Sequence, residues 1–138
     1  MKRKIVVLAN SAPEKDSLGK VVILTKQRYT YSVVDDIYFQ CKTPLGVVIR
    51  TTKEYWERII TIKHPSIKKF SSKVKLALEE PDQVRKSKQD KRVHLYYKNV
   101  GKIWVCVIAD HINSEEGYII TAYLTDRIKE GEKIYGKD

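Results

Sequence analysis

The sequence is poor in the residues that form disulfides, bind metals or anchor a chain in a membrane. Its 138 residues include two cysteines, Cys41 and Cys106, which lie far apart in apolar, strand-like surroundings without a CxxC spacing. We therefore expect two buried free thiols in a reducing cytoplasm, and neither a structural zinc site nor any other cofactor. No apolar run approaches the roughly 20 residues of a membrane helix. The apolar stretch at residues 5–9 is too short for a signal peptide and predicts a strand.

Acidic residues are also in the minority, with 17 against 27 basic residues and a net charge of +10. The excess is sharpest in residues 63–92, where ten lysines and arginines accompany four acidic residues. Such a region favours a polyanionic partner such as RNA, DNA or an acidic protein. The alternative is a lysine-rich surface that maintains solubility. The residues that we expect to bind RNA are Lys63, Lys86, Lys88, Lys91 and Arg92.

The first 50 residues predict a β-meander, because short β-branched runs alternate with turn residues. The expected strands are 4–9, 21–25, 29–34, 37–41 and 47–49, with a polar loop over 10–20. Two helices should follow. Thr51-Thr52-Lys53-Glu54 has the pattern of a capping box, Pro65 should end the first helix, and a second should span 66–80.

After Pro81 the apolar period becomes two, which predicts the strands 83–87, 92–98, 102–110 and 117–125. Their short connections indicate an antiparallel sheet. A polar turn and a last short strand should follow from residue 126. We therefore predict an α+β fold, in which two helices pack on a four-stranded antiparallel sheet preceded by the N-terminal β-meander. The expected domains are a β-rich segment over 1–42 and a second unit over 43–138.

Alternation along the late strands predicts which side chains face away from the helices. If Val84, Leu95 and Ala122 form the core, the opposite face collects the side chains Arg85, Ser87, Tyr96, Thr121 and Tyr123. His64 ends the first helix beside this sheet, and His111 should lie in an exposed loop. There are two structural alternatives. The face is an ordinary solvated sheet surface, and His64 is a histidine stabilised by the dipole at the end of a helix.

These residue types suit the cleavage of RNA without a metal. The reaction uses the 2′-OH as nucleophile and needs groups that accept and donate protons, together with a cation at the phosphate. Histidine titrates near neutral pH, and the arginine fork donates two parallel hydrogen bonds to phosphate. The candidate catalytic residues are therefore His64, Arg85, Ser87, Tyr96 and Thr121.

Several spaced motifs between residues 40 and 135 resemble phage-type nucleases of the barnase–EndoU–colicin–RelE group (the BECR fold). The motifs are Thr43-Pro-Leu-Gly, Trp56 with Ile59, Lys63-His64-Pro65, Glu80-Pro81-Asp82, Arg85-Lys-Ser87, Leu95-Tyr-Tyr97 and Thr121-Ala-Tyr-Leu-Thr125. The resemblance implies a metal-independent endoribonuclease, a toxin or mobile-element effector, with His64, Arg85, Ser87, Thr121 and Tyr96 in its site. The chain lacks a second histidine at a matching position, unless His94 serves.

Two functions of other classes fit the same residues. One is a catalytically silent module that binds RNA or DNA through the basic face. The other is a protein-interaction domain for an acidic partner such as an antitoxin or immunity protein. For the nuclease, tRNA or mRNA would be the substrate, and no membrane association is expected.

Overall fold

The computed structural model describes residues 36–129 and 131–136 in full, and the backbone of three short strands before them. Those strands are β1 (Pro13–Lys15), β2 (Val21–Leu24) and β3 (Tyr31–Val34), which form an antiparallel sheet in the order β1-β2-β3. The strands predicted at 21–25 and 29–34 are confirmed over the described residues 21–24 and 31–34. The prediction of a loop over 10–20 is wrong at β1, which pairs with β2. The strand predicted at 4–9 lies outside the described residues.

A second sheet has seven strands in the order β10-β6-β7-β8-β9-β5-β4. Its strands are β4 (Ile37–Lys42), β5 (Val48–Thr52), β6 (Gln83–Lys86), β7 (Val93–Asn99), β8 (Trp104–His111), β9 (Glu116–Thr125) and β10 (Glu132–Gly136). The α+β class is confirmed, and the four predicted late strands are the consecutive neighbours β6 to β9. The sheet is nevertheless wider than the four strands predicted.

The sheet is mixed rather than wholly antiparallel, because β5 pairs with β9 in parallel. A parallel pair needs a long crossover, which here comprises both helices and strands β6 to β8. The prediction missed this pair because it considered only the short links between neighbouring strands. β4 joins the sheet through the turn 43–46, where Gly46 has a φ of 83°. The expected division of the chain between residues 42 and 43 thus falls within one hairpin.

Four helical pieces cross the sheet between β5 and β6. They are α1 (Lys53–Arg58), a π-helical turn (Ile59–Lys63), a 3₁₀-helix (Pro65–Phe70) and α2 (Ser71–Glu79). The cap of α1 is Thr52 of the predicted capping segment, and its hydroxyl accepts a hydrogen bond from the Tyr55 amide at 3.1 Å. Pro65 ends the first helical stretch as expected. In the described part of the chain, no helix is both long enough and apolar enough to cross a membrane.

The helices cover one face of the large sheet and bury its main core. This helix-covered face contributes Val84, Tyr96, Val107 and Ala122, all fully buried. The prediction for β7 is wrong. Tyr96 pairs directly with Val84 and therefore shares its face, while Leu95 lies with Arg85 on the other side. Alternation favoured the side of Leu95 because the opposite side carries His94 and Lys98, but both faces of β7 are buried.

The second face, turned away from the helices, is partly covered rather than open. Leu95, Tyr97 and Cys106 form a small buried cluster there. Ile128, in the connection from β9 to β10, packs against this cluster together with the partly buried Tyr123. The centre of the sheet is therefore packed on both faces. The polar side chains of the candidate site lie around the second cluster.

Candidate functional site

His64 lies at the end of the π-helical turn and is half-buried. Its amide donates to the Ile59 carbonyl at 2.8 Å, and its φ and ψ of −146° and 76° are no longer helical. The following Pro65 excludes a helical conformation at His64. A π-helical turn is rare and is frequent at functional sites. Local sequence thus determines that the chain leaves the helix at the histidine.

The imidazole of His64 contacts Tyr123 of β9. The two ring centroids lie 5.4 Å apart and the ring planes are tilted by 31°. Thr121 is two residues before Tyr123 on β9 and shares the second face with it. The prediction that β9 turns Thr121 and Tyr123 to one side and Ala122 to the core is confirmed. The structure therefore brings His64 beside this stretch of β9.

The hydroxyl groups of Thr121 and Tyr123 are buried, and within the described residues the Cys106 thiol is the polar neighbour of the Tyr123 hydroxyl. Burial, together with the neighbouring Cys106, raises the pKa of Tyr123 well above its ordinary value. The phenol therefore stays protonated at neutral pH and can act as a hydrogen-bond donor. Buried polar groups without partners are uncommon in folded proteins.

Lys129 adds a cation that sequence reasoning missed. Its ammonium nitrogen lies 5.3 Å from the centroid of the Tyr123 ring, and its amide donates to the Tyr97 hydroxyl at 3.1 Å. The residues after Thr125 were expected to form a polar turn and a last short strand, and none of them was a candidate for the site. The available signal was the run Asp126-Arg127-Ile128-Lys129, in which basic residues flank an apolar one that can pack on the sheet.

Arg85 lies on the second face, as predicted, but far from His64. Arg85, Leu95, Ile108 and Thr121 are successive partners across four strands. Three inter-strand spacings therefore separate Arg85 from Thr121, about 14 Å between their Cα atoms. The Arg85 guanidinium donates to the Gly131 carbonyl at 2.9 Å and to the Gln83 side chain at 3.2 Å. These bonds hold it at the β10 side of the sheet.

Two further candidates, Ser87 and Tyr96, also lie apart from His64. Ser87 follows β6, and its hydroxyl accepts from the Gln89 amide at 3.2 Å within a turn. Tyr96 is fully buried under the helices. Its expected place on the same face as Arg85 is wrong, because Tyr96 pairs with Val84 and shares the face of that residue. The structure therefore brings together His64, Thr121 and Tyr123, and leaves the other predicted residues elsewhere.

The two remaining histidines form a separate pair. The rings of His94 and His111 stack with centroids 3.6 Å apart and planes within 7°. His111 is the last residue of β8, so its expected place in an exposed loop is wrong. Its Nε2 atom lies 2.8 Å from the Tyr96 hydroxyl, which in turn lies 3.3 Å from the Thr43 hydroxyl. His94 is on the helix-covered face and does not join His64.

The expected RNA-binding residues divide into two groups. Lys86, Lys88, Lys91 and Arg92 lie at the end of β6 or in the turn to β7, and Arg92 forms a two-pronged bond with Asp110 at 2.8 and 2.9 Å. Lys63 lies by the helices instead, with its ammonium nitrogen 2.8 Å from the Tyr55 hydroxyl. The basic turn is therefore a surface separate from the surroundings of His64.

Cys41 and Cys106 are free and buried, as expected. Burial raises the pKa of each thiol to about 11, so both are protonated at neutral pH. Within residues 36–129 and 131–136, no three histidine, cysteine or acidic side chains gather in an arrangement that could hold a metal ion. Comparison of the chain with models of protein families, with curated proteins and with solved structures found no match.

Proposed function

We propose that this protein is a metal-independent endoribonuclease that cleaves RNA by attack of a 2′-OH on the adjacent phosphate. The observation that carries the proposal is the contact of His64 with Tyr123 beside Thr121, with Lys129 over the tyrosine ring. A titratable imidazole, a neutral phenol and a cation are thereby close together on a basic protein. These groups match the proton transfers and the charge stabilisation that this reaction requires.

Each group has a distinct role in the proposal. His64 either accepts the proton of the attacking 2′-OH or, when protonated, donates a proton to the leaving 5′-oxygen, and water serves as the proton carrier in the other transfer. Tyr123 donates a hydrogen bond and does not act as a base, because its pKa is raised. Lys129 stabilises the negative charge of the phosphate. The turn 86–92 binds the RNA backbone away from the cleaved bond. Arg85 either stabilises the fold through its hydrogen bond to Gly131 or binds a more distant phosphate.

The biological setting of the proposal rests on the sequence motifs. They resemble BECR-type nucleases, so we propose a toxin or mobile-element effector that acts on cytoplasmic RNA, with an antitoxin or immunity protein as a partner. The two reduced, buried thiols fit a reducing compartment.

The test is incubation of the purified protein with total RNA in EDTA, followed by mapping of the fragment ends. We expect cleavage and 2′,3′-cyclic phosphate termini. His64→Ala should lower single-turnover cleavage by about 10²–10⁴-fold, the usual contribution of general acid–base catalysis. Its RNA affinity and melting temperature should stay close to those of the wild type. Full activity of a folded His64→Ala variant would refute the role of His64.

The distance of Arg85 from His64 favours a second candidate, a non-catalytic module that binds RNA or DNA. An arginine held by Gly131 about 14 Å from Thr121 does not complete a compact phosphate site. This alternative expects binding that weakens steeply with salt, since counterions are released, but no cleavage. Tight binding of an acidic protein without affinity for nucleic acid would instead support an interaction domain for an antitoxin.

A further inference from the structure

The half of β9 that contacts His64 lies beside helices rather than beside another strand. The parallel pairing of β5 with β9 ends at Arg50 and Tyr118, and the chain then turns into α1. Immediately beyond, Ile120 lies at a β-bulge, because Ala109 pairs with Ile119 and Ile108 with Thr121. A bulge removes a residue from the ladder and leaves its backbone groups for other partners.

Two side chains of the first helical stretch bind the carbonyl of this bulged residue. The Tyr55 hydroxyl donates to the Ile120 carbonyl oxygen at 2.5 Å, and the Lys63 ammonium donates to the same oxygen at 3.2 Å. Lys63 also donates to the Tyr55 hydroxyl at 2.8 Å. Three polar groups thus form one closed network between the helical stretch and the edge of β9.

Two residues of this network are the immediate chain neighbours of candidate site residues. Lys63 immediately precedes His64, and Ile120 immediately precedes Thr121. Because the π-helical turn ends at Lys63, attaching its ammonium to β9 restricts the position of the next residue. The ring of His64 is then held against Tyr123. Small displacements matter in such a site, since a shift of about 1 Å can cost a catalyst about 10²-fold in rate.

We propose that Tyr55 and Lys63 are positioning residues, which attach the helical stretch to the Ile120 carbonyl and so hold His64 against Tyr123. We call this attachment of Tyr55 and Lys63 to the Ile120 carbonyl the latch. Its effect on the rate of catalysis rests on the proposed function, whereas its geometry does not. The proposal also changes the role of Lys63, whose exposed ammonium binds the Tyr55 hydroxyl and the Ile120 carbonyl instead of an RNA phosphate. Lys88, exposed in the β6–β7 turn, keeps its role in RNA binding.

The test uses Tyr55→Phe and Lys63→Met, with Lys53→Met as the matched control. Tyr55→Phe removes one oxygen atom and keeps the ring, so the fold should survive, which thermal melting checks. Lys53 is exposed at the start of α1 and loses the same charge as Lys63 without touching Ile120. In the NMR spectrum, the wild type and Lys53→Met should show a nuclear Overhauser effect between the His64 and Tyr123 rings, and the two latch variants should lose it.

Rates and affinities separate positioning from binding. Both latch variants should cleave RNA about 10-fold or more slowly in a single turnover, with an unchanged dependence of affinity on salt. Lys88→Met should instead reduce the slope of log affinity against log salt by about 1, as expected for one lost phosphate contact. Retention of the ring contact in both latch variants would overturn the proposal. A reduced salt slope in Lys63→Met, with the contact retained, would overturn it as well and return Lys63 to RNA binding. If the wild type cleaves no RNA, the proposed function fails and the NMR comparison alone decides whether the latch exists.

Discussion

Acidification below about pH 6.5 is expected to destabilise this protein through the stacked pair His94 and His111. Burial, and to a smaller extent the charges of His94 and Lys86, lower the pKa of His111 to about 4 against the opposing charge of Asp110. Burial, and to a smaller extent the charge of Lys86, also lowers the pKa of His94, against the opposing hydrogen bond to the Arg92 carbonyl. Both rings are therefore neutral in the folded protein at neutral pH, and a charge on either ring would face the other at 3.6 Å between centroids.

The sign and size of the effect follow from the difference between folded and unfolded states. An unfolded histidine titrates near 6.5, so between that value and about 4 the unfolded chain binds more protons at position 111. The stability due to the neutral ring is complete above pH 6.5 and is lost as the pH falls towards 4. Each pH unit in that window is worth about 1.4 kcal/mol, which gives a limit of about 3.4 kcal/mol. Solvent screening of the half-exposed ring reduces the expected loss to about 2 kcal/mol.

The assay is urea unfolding of the wild type and of His111→Phe at pH values from 4 to 7.5 and constant ionic strength. Phenylalanine keeps a flat ring against His94 but cannot take up a proton. Carboxylates titrate in the same window in both proteins, so the difference between the two curves isolates residue 111. The free energy of unfolding should fall by about 2 kcal/mol more in the wild type than in the variant between pH 6.5 and 4. Parallel curves would show that His111 is not held neutral by the fold, and would refute this reasoning.

Four further outcomes are expected from the proposed chemistry and the fold. Cleavage of RNA should be unchanged by EDTA, and a strict requirement for Mg²⁺ would contradict the proposed mechanism. Arg85→Ala should cost about 1 kcal/mol through the lost bond to Gly131, and should slow cleavage less than His64→Ala does, which single-turnover rates and urea melts would test together. Thr52→Ala should destabilise the protein by about 1 kcal/mol, since it removes the cap of α1. Thr51→Val should be neutral or stabilising in the same urea melts, because the buried Thr51 hydroxyl has no partner among the described residues.

Much of the fold could be predicted from local signals in the sequence. Pro65 and Pro81 limit the helices because proline and the residue before it resist helical geometry. The period of two after Pro81 located β6 to β9, and their short links required antiparallel neighbours. Alternation placed Val84 and Ala122 in the core and Thr121 and Tyr123 on the other face. These features depend on residues close together in the chain.

The tertiary structure decided what depends on distant partners. The parallel pairing of β5 with β9 joins residues more than 60 positions apart, and no local pattern marks it. The faces of β7 were set by its register against Val84, because both of its faces are buried although one side carries His94 and Lys98. The strand order β6-β7-β8-β9 keeps Arg85 three strands away from Thr121, although both side chains occupy the predicted face. His64 contacts Tyr123 from a distant element, and beside this contact the bulge at Ile120 leaves a carbonyl that Tyr55 and Lys63 bind. Sequence alternation determines the face of a strand on which a side chain lies, but only strand order and register determine which residues meet on that face.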